Sequence, residues 1–337
     1  MGVLHQPVEA GERLPPQTAF LFPGQGSQFV GMGRDLVATS PPAHALYEQA
    51  DKILGFELSR LCFEGPEEAL NDTVNTQPAL FVASMALLHA LLAEGRLPSP
   101  SAAAGHSLGE ITALAAAGAL GFADGLLLTR ARGRLMKLAG ERGPGGMAAV
   151  LKMDDADVEL ACLEARNETG HPIQVANYNA PEQVVISGHQ EALARAVEIL
   201  RSRGARRIVP LAVSIAAHSP LMALVTEEYW RAVEATPIRP PETPVIGNIQ
   251  GRPLGTVEEI RDELVGQLTH PVQWTASVRW MEEHGIDRFV EIGPKDVLAR
   301  LVQRIVPAAK TWSIGDAASV RSLDLRGNER AVITEVA

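Results

Sequence analysis

Ser107 stands in the run Gly105-His106-Ser107-Leu108-Gly109-Glu110, with a glycine two residues to either side and small apolar residues flanking the whole. A Gly-x-Ser-x-Gly between a short strand and an Ala-rich helix is the nucleophile-elbow pattern. The glycines permit a strained turn and a helix that begins close to the strand, so the serine hydroxyl projects at the strand end. Backbone N–H groups at the helix N-terminus then favour a developing oxyanion. The same letters arise by chance in a chain rich in Gly and Ala, but the strand-turn-helix setting argues for the elbow. Such a serine needs a base on a loop at a strand end, and His218 in "VSIAAHSPLM" fits that requirement. His106, one residue from the serine, points elsewhere on the turn and is read as a packing or hydrogen-bonding group. His44, His89, His171, His189, His270 and His284 are read as solvated or satisfied in the core.

A second glycine loop, "FPGQGSQ", follows the apolar run Thr18 to Phe22. It lacks the third glycine of a dinucleotide fingerprint, where Phe29 stands instead. A loop in this place can supply the second backbone N–H of an oxyanion hole, which pairs Gln25 with Leu108 as donors. Arg132, in "RARGRLM", is open to two readings: one of several basic residues on a solvated helix face, or a ligand. Cys62 and Cys162 are a hundred residues apart, and no HExxH occurs, so neither a disulfide framework nor a metal site is expected.

The elements that must position these groups read as α/β. With 337 residues and 46% hydrophobic content, the chain can bury about three quarters of its unfolded surface. Aromatic residues make up only 4%, so the core is built from Ala, Leu, Val and Ile, as in helix-covered parallel sheets. "FVGMGRDLVATS" reads as an amphipathic helix, and a long apolar helix is expected from near Pro78 to Gly95. From Gly143 the pattern changes to a β-α-β-β-α-β order, the signature of a ferredoxin-like unit inserted over 143–213. The larger domain then comprises 18–142 and 214–315, with 1–17 and 316–337 expected as flexible tails. His218 lies where the chain returns from the insertion, beside the cleft expected between the two parts.

Five separated motifs, "FPGQGSQ", "GHSLGE", "RARGRLM", "AHSPLM" and "PVQWTASV", occur in this order. Through them the chain resembles the malonyl-CoA:acyl carrier protein transacylases, the acyltransferase family of fatty acid and polyketide synthesis, over about residues 18 to 315. The resemblance implies an α/β-hydrolase-like domain with a parallel sheet and an inserted ferredoxin-like subdomain. It implies that Ser107 takes the acyl group from a CoA thioester and that His218 is its general base. Gln25 and Leu108 then supply the oxyanion donors, and Arg132 clamps the free carboxylate of a malonyl group. Gln273, in "PVQW", would lend the backbone carbonyl that orients the histidine in place of a triad carboxylate. No Asp or Glu between Ser107 and His218 stands out as a triad acid; Asp124, Asp154, Asp155 and Asp157 read as helix-start residues.

The resemblance also implies an acyl carrier protein as partner and no resident cofactor. The formal charge of -10 argues against a nucleic-acid binder. The densest basic cluster, Arg201, Arg203, Arg206 and Arg207 in "RSRGARR", is expected either to steer an acidic carrier or to be a solvated helix end. Ala216 and Ala217 before His218 depart from the family pattern and leave room for an α-substituent, whereas Leu108 is usual in malonyl users. Competing functions are a carrier-thioester hydrolase, a transferase for methylmalonyl or another substituted unit, and a non-catalytic carrier-binding scaffold. The first residues lack the apolar core of a signal peptide and no run of eighteen apolar residues occurs, so a cytoplasmic monomer without membrane attachment is expected.

Overall fold

A computed structural model describes residues 17–211, 215–323 and 325. The apolar run after Gln17 forms β1 (Gln17–Phe22), and the alanine run before the elbow forms β2 (Ala102–Gly105). The insertion supplies β3 (Gly145–Leu151), β4 (Ile173–Ala180), β5 (Gln183–His189) and β6 (Arg207–Pro210). The chain then returns to the first sheet with β7 (Val245–Ile246), β8 (Ile286–Ile292) and β9 (Lys310–Ile314). Its order is β7-β2-β1-β8-β9, with every pairing parallel. Both faces are covered by helices, which is why β1 and β2 read as continuous apolar runs without alternation.

The second sheet is antiparallel, ordered β4-β5-β3-β6, and its two helices, Asp155–Thr169 and Gln190–Ser202, complete the ferredoxin-like arrangement. Asp154 caps the first of these by accepting from the Ala156 N–H. The two sheets are tied through β4. Val272 donates to the Ala176 carbonyl at 2.8 Å and accepts from Tyr178 N–H at 2.9 Å, and Thr275 Oγ1 donates to the Tyr178 carbonyl at 3.0 Å.

Four expectations change. The stretch "FVGMGRDLVATS" is mostly turn, with helix only over Arg34–Val37, because Gly31 and Gly33 both adopt positive φ and break the periodicity. Asp316 to Ser322 is not a loose tail: Asp316 and Ser319 form a capping box on the helix Ala317–Ser322, which buries Val320 against the core. The strand expected through "IVPLAVS" covers Arg207–Pro210, and 212–214 fall outside the described residues. Finally, the long apolar helix runs Thr73–Ala93 and contains Pro78. It is long and apolar enough to span a membrane, but 83% of its apolar window is buried inside the protein.

A proline six residues into a helix leaves the carbonyl four residues earlier without its donor. Here that carbonyl belongs to Val74, and Arg130 Nη1 supplies the missing bond at 2.8 Å. The same nitrogen donates to Asn75 Oδ1 at 2.7 Å, and the guanidinium lies 4.9 Å from the centre of the Phe56 ring. Replacing Arg130→Met should therefore destabilise the protein by about 1–3 kcal/mol in urea unfolding. In a Pro78→Ala background, which restores the N–H, the cost should be smaller; strictly additive effects would refute this account.

Candidate active site

Three adjacent strands of the parallel sheet deliver the site from their C-terminal ends, where open α/β sheets place their ligands. After β1 comes the loop with Gln25, after β2 the elbow with Ser107, and after β7 Gly247 and Asn248. The elbow glycines are required by contact. A Cβ on Gly105 would lie 1.9 Å from the Gly109 backbone, and one on Gly109 would lie 2.0 Å from the Phe22 carbonyl oxygen. Ser107 itself has φ 54°, a left-handed conformation costly for a residue with a side chain. Asn248 holds it there: its Oδ1 accepts from Ser107 N–H at 2.7 Å and its Nδ2 donates to the Gly105 carbonyl at 2.8 Å.

His218 meets Ser107 as expected, with 2.8 Å between Nε2 and Oγ. It too has positive φ, 56°, and Gln174 of β4 donates to its carbonyl at 2.8 Å, so the insertion holds the base in its strained turn. The orienting carbonyl, however, is not that of Gln273. Nδ1 of His218 lies 2.8 Å from the Gln267 carbonyl, six residues earlier. Gln273 opens the helix Trp274–Glu283, and its carbonyl accepts from Ser277 N–H at 2.9 Å inside that helix. Gln267 follows the last residue of the helix Val257–Gly266, where a helix leaves carbonyls without intrahelical partners. That end also carries the negative pole of the helix dipole, which favours a charged imidazole.

Arg132 is not on a solvated face: it is only 2% exposed. Its Nη2 lies 3.1 Å from Ser107 Oγ and 2.7 Å from Gln267 Oε1, and Nη1 donates to Gln77 Oε1 at 3.0 Å. All of these partners are neutral, and among the described residues no carboxylate forms an ion pair with it. Burial holds the His218 pKa down, the Arg132 charge lowers it further, and together they bring it to about 3 against a partial rise from the Gln267 carbonyl. The imidazole is therefore neutral across the physiological range. With Nδ1–H donating to Gln267, Nε2 is left as the acceptor for the Ser107 hydroxyl proton.

Leu108 follows the serine as the N-terminal cap of the elbow helix, and Gln25 follows Gly24, where an added Cβ would lie 2.5 Å from the His106 carbonyl oxygen; neither backbone N–H has a protein acceptor among the described residues. His106 is half-buried, bonds Asn179 Oδ1 of β4 at 2.8 Å and packs on Trp274, in line with a local role. Arg201, Arg203, Arg206 and Arg207 all lie exposed on the insertion and touch none of these groups; Arg203 is bound to Glu164. Ala216 packs on Gly145 of β3, so the room its small side chain leaves is taken by the insertion.

Sequence reasoning did not single out Gln77, Asn248, Gln267 or Glu110. Glu110 lies next to the elbow glycine, completely buried, and accepts from Asn248 N–H at 2.8 Å. The only signal for it was a charged residue at the first turn of an otherwise apolar helix, a place usually explained by the helix dipole.

The acyl transferase domain family model matches residues 19–325. The malonyl CoA-acyl carrier protein transacylase of Escherichia coli (strain K12) is 42% identical over 290 residues, covering 86% of this chain and 93% of that one. The crystal structure of an acyl carrier protein S-malonyltransferase from Vibrio cholerae superposes with a TM-score of 0.88 at 37% identity, covering 91% of this chain and 100% of that one. A malonyl-transacylase in complex with a type II PKS acyl-carrier protein gives a TM-score of 0.88 at 38% identity, covering 91% and 98%. With a family model spanning nearly all of the described residues and a relative this similar along its length, the chain belongs to the acyl transferase family.

Proposed function

We propose that this protein moves a malonyl group from CoA to the phosphopantetheine thiol of an acyl carrier protein through an ester on Ser107. The observation that carries the reading is Arg132: a buried guanidinium 3.1 Å from the serine oxygen, with no carboxylate directly paired to it among the described residues. A buried charge with no anion in direct contact is costly, and a planar fork binds a carboxylate with two parallel hydrogen bonds. A malonyl group brings that carboxylate, at the end of the acyl chain whose thioester carbon Ser107 must attack. The names of the Escherichia coli and Vibrio cholerae relatives, both malonyl transferases, support the same substrate.

The chemistry follows from the wiring. Ser107 Oγ attacks the thioester carbon as its proton passes to His218 Nε2. The tetrahedral oxyanion accepts from the N–H groups of Gln25 and Leu108, a kind of contact worth roughly a hundredfold or more in rate. Collapse breaks the C–S bond, and His218 returns the proton to the departing CoA sulfur. The carrier thiol then repeats the sequence in reverse, giving its proton to His218 and releasing Ser107. A carbonyl behind the histidine stabilises the imidazolium less than a buried carboxylate would. Arg132 opposes that imidazolium as well, until a malonyl carboxylate neutralises the guanidinium. The acyl group thus brings an anion into direct contact with the guanidinium, and an acetyl group does not.

Intact-mass measurement after mixing with malonyl-CoA should show one malonyl group per chain, absent in Ser107→Ala. In Arg132→Ala, malonyl loading measured as kcat/KM should fall roughly ten- to a hundredfold while acetyl loading does not fall. Preferential loading of acetyl by the wild type would overturn the proposal, and release of free malonate faster than transfer to carrier would make the protein a hydrolase.

Arg201, Arg206 and Arg207 form no ion pairs among the described residues and remain the basic surface open to an acidic carrier. Reversing Arg206 and Arg207 to Glu should raise the KM for the carrier at low salt, with little change at high salt and none for free pantetheine. An unchanged KM at low salt would remove these residues from the carrier interface.

A further inference from the structure

Beneath the elbow two buried carboxyl groups hold the same loop, and neither forms an ion pair among the described residues. Glu110 is completely buried and Glu263, on the helix Val257–Gly266, is 6% exposed. They hold consecutive amides of the loop after β7: Asn248 N–H donates to Glu110 Oε2 at 2.8 Å and Ile249 N–H donates to Glu263 Oε1 at 2.7 Å. Bonded to consecutive amides, the two buried carboxyls lie side by side and act on each other electrostatically. Glu110 Oε1 is buried with no donor among the described side chains and amides that bond it. Two carboxylates cannot both stay ionised at such a contact, and a proton between them turns two facing acceptors into a donor and an acceptor. Burial raises both pKa values, that of Glu110 well above the usual carboxylate range, and the charge of Glu263 raises Glu110 further while the interaction with Glu110 works the other way on Glu263, so the proton rests on Glu110.

The titratable groups facing this pair come from three further elements: Arg132 on the helix Phe122–Arg142, Tyr229 on Thr226–Ala235, and His270 in the loop beyond Gln267. Of these Arg132 is the buried cation. With one shared proton the pair carries one negative charge, which balances Arg132 across the Gln267 side chain while neutral His218 adds nothing.

We propose that Glu110 and Glu263 form a proton-sharing acid pair that serves as the countercharge of Arg132, and that loading a carboxylated acyl group on Ser107 is coupled to uptake of a second proton by the pair. This rests on the reading of Arg132 as the malonyl clamp. A malonyl carboxylate on Arg132 adds a negative charge to a site that was neutral, and the acid pair, which Arg132 feels through Glu110, is a buried group able to remove one. The acyl transfer itself is proton-neutral: the O–C ester bond forms, the C–S bond breaks, and the serine proton ends on the CoA sulfur. An ordinary thiol with pKa about 8.5 keeps that proton below neutral pH. Any net uptake therefore comes from the protein.

The test is single-turnover loading with malonyl-CoA slightly below neutral pH, in weak buffer with an indicator dye, with malonyl-enzyme counted by intact mass in the same samples. The wild type should take up protons in step with ester formation. In Glu263→Gln the amide donates to Glu110, which stays ionised, and the uptake per ester formed should be lost. Infrared difference spectra of the two free proteins should show a buried protonated-carboxyl band present in the wild type and missing in the variant. Full loading without proton uptake, equal uptake in both proteins, or no such band would overturn the pair. Failure to load at all is read in the mass, and it overturns the malonyl reading instead.

Discussion

The hydrogen bond from His218 Nδ1 to the Gln267 carbonyl is the contact on which the site depends. It fixes which ring nitrogen carries the proton, and so makes Nε2 the acceptor for Ser107. Gln267 does more than lend its carbonyl. Its side-chain oxygen accepts from Arg132 at 2.7 Å, and its amide donates to the Ser107 carbonyl at 3.1 Å. One residue at the end of one helix thus touches nucleophile, base and guanidinium, so their mutual geometry is set by a single backbone position. Because Ser107 and His218 both occupy strained backbone conformations, that geometry needs support from outside the pair. Asn248 supports the serine from the parallel sheet, and Gln174 supports the histidine from the insertion.

The electrostatics of the site are set by placing a cation where no protein anion meets it directly. Arg132 lowers the basicity of His218 and strengthens the hydrogen bonding around the serine oxygen. A neutral base beside a cation with no directly bonded anion is poorly disposed to accept a proton, which slows reaction with acyl groups that bring no charge. A dicarboxylic acyl group removes that penalty at the moment it binds. Selectivity of this kind is expressed in the transition state as well as in binding, because the same charge that holds the substrate also decides the stability of the imidazolium.

Much of this architecture was legible in the sequence, and the misses have physical reasons. The Gly-x-Ser-x-Gly turn announced itself because only glycine tolerates the approach of the strand to the helix at both flanking positions. The β-α-β-β-α-β order of the insertion was readable because alternation and helical periodicity change cleanly at its turns. Pro78 misplaced a helix start because a proline in a helix interior is normally excluded, and the Arg130 side chain that compensates it comes from fifty-two residues away in sequence. Gln273 was assigned in place of Gln267 because both stand in the same short stretch. What separates them is which carbonyl lies past a helix end and which is consumed within the next helix. Glu110 and Glu263 were missed because two carboxyls brought together by tertiary packing leave no spacing signal. Arg132 was ambiguous for a similar reason, since a helix with several basic residues does not show which one turns inward.

The account turns on burial and the Arg132 charge together holding His218 neutral until a carboxylated acyl group offsets the guanidinium, and the His218 ring resonances measure this directly by NMR. In the free protein they should not titrate between about pH 5 and about pH 8, and in the malonyl-loaded protein the pKa should rise from its depressed value of about 3. A His218 that titrates near the ordinary histidine value of about 6.5 in the free protein, or that does not respond to loading, would contradict it.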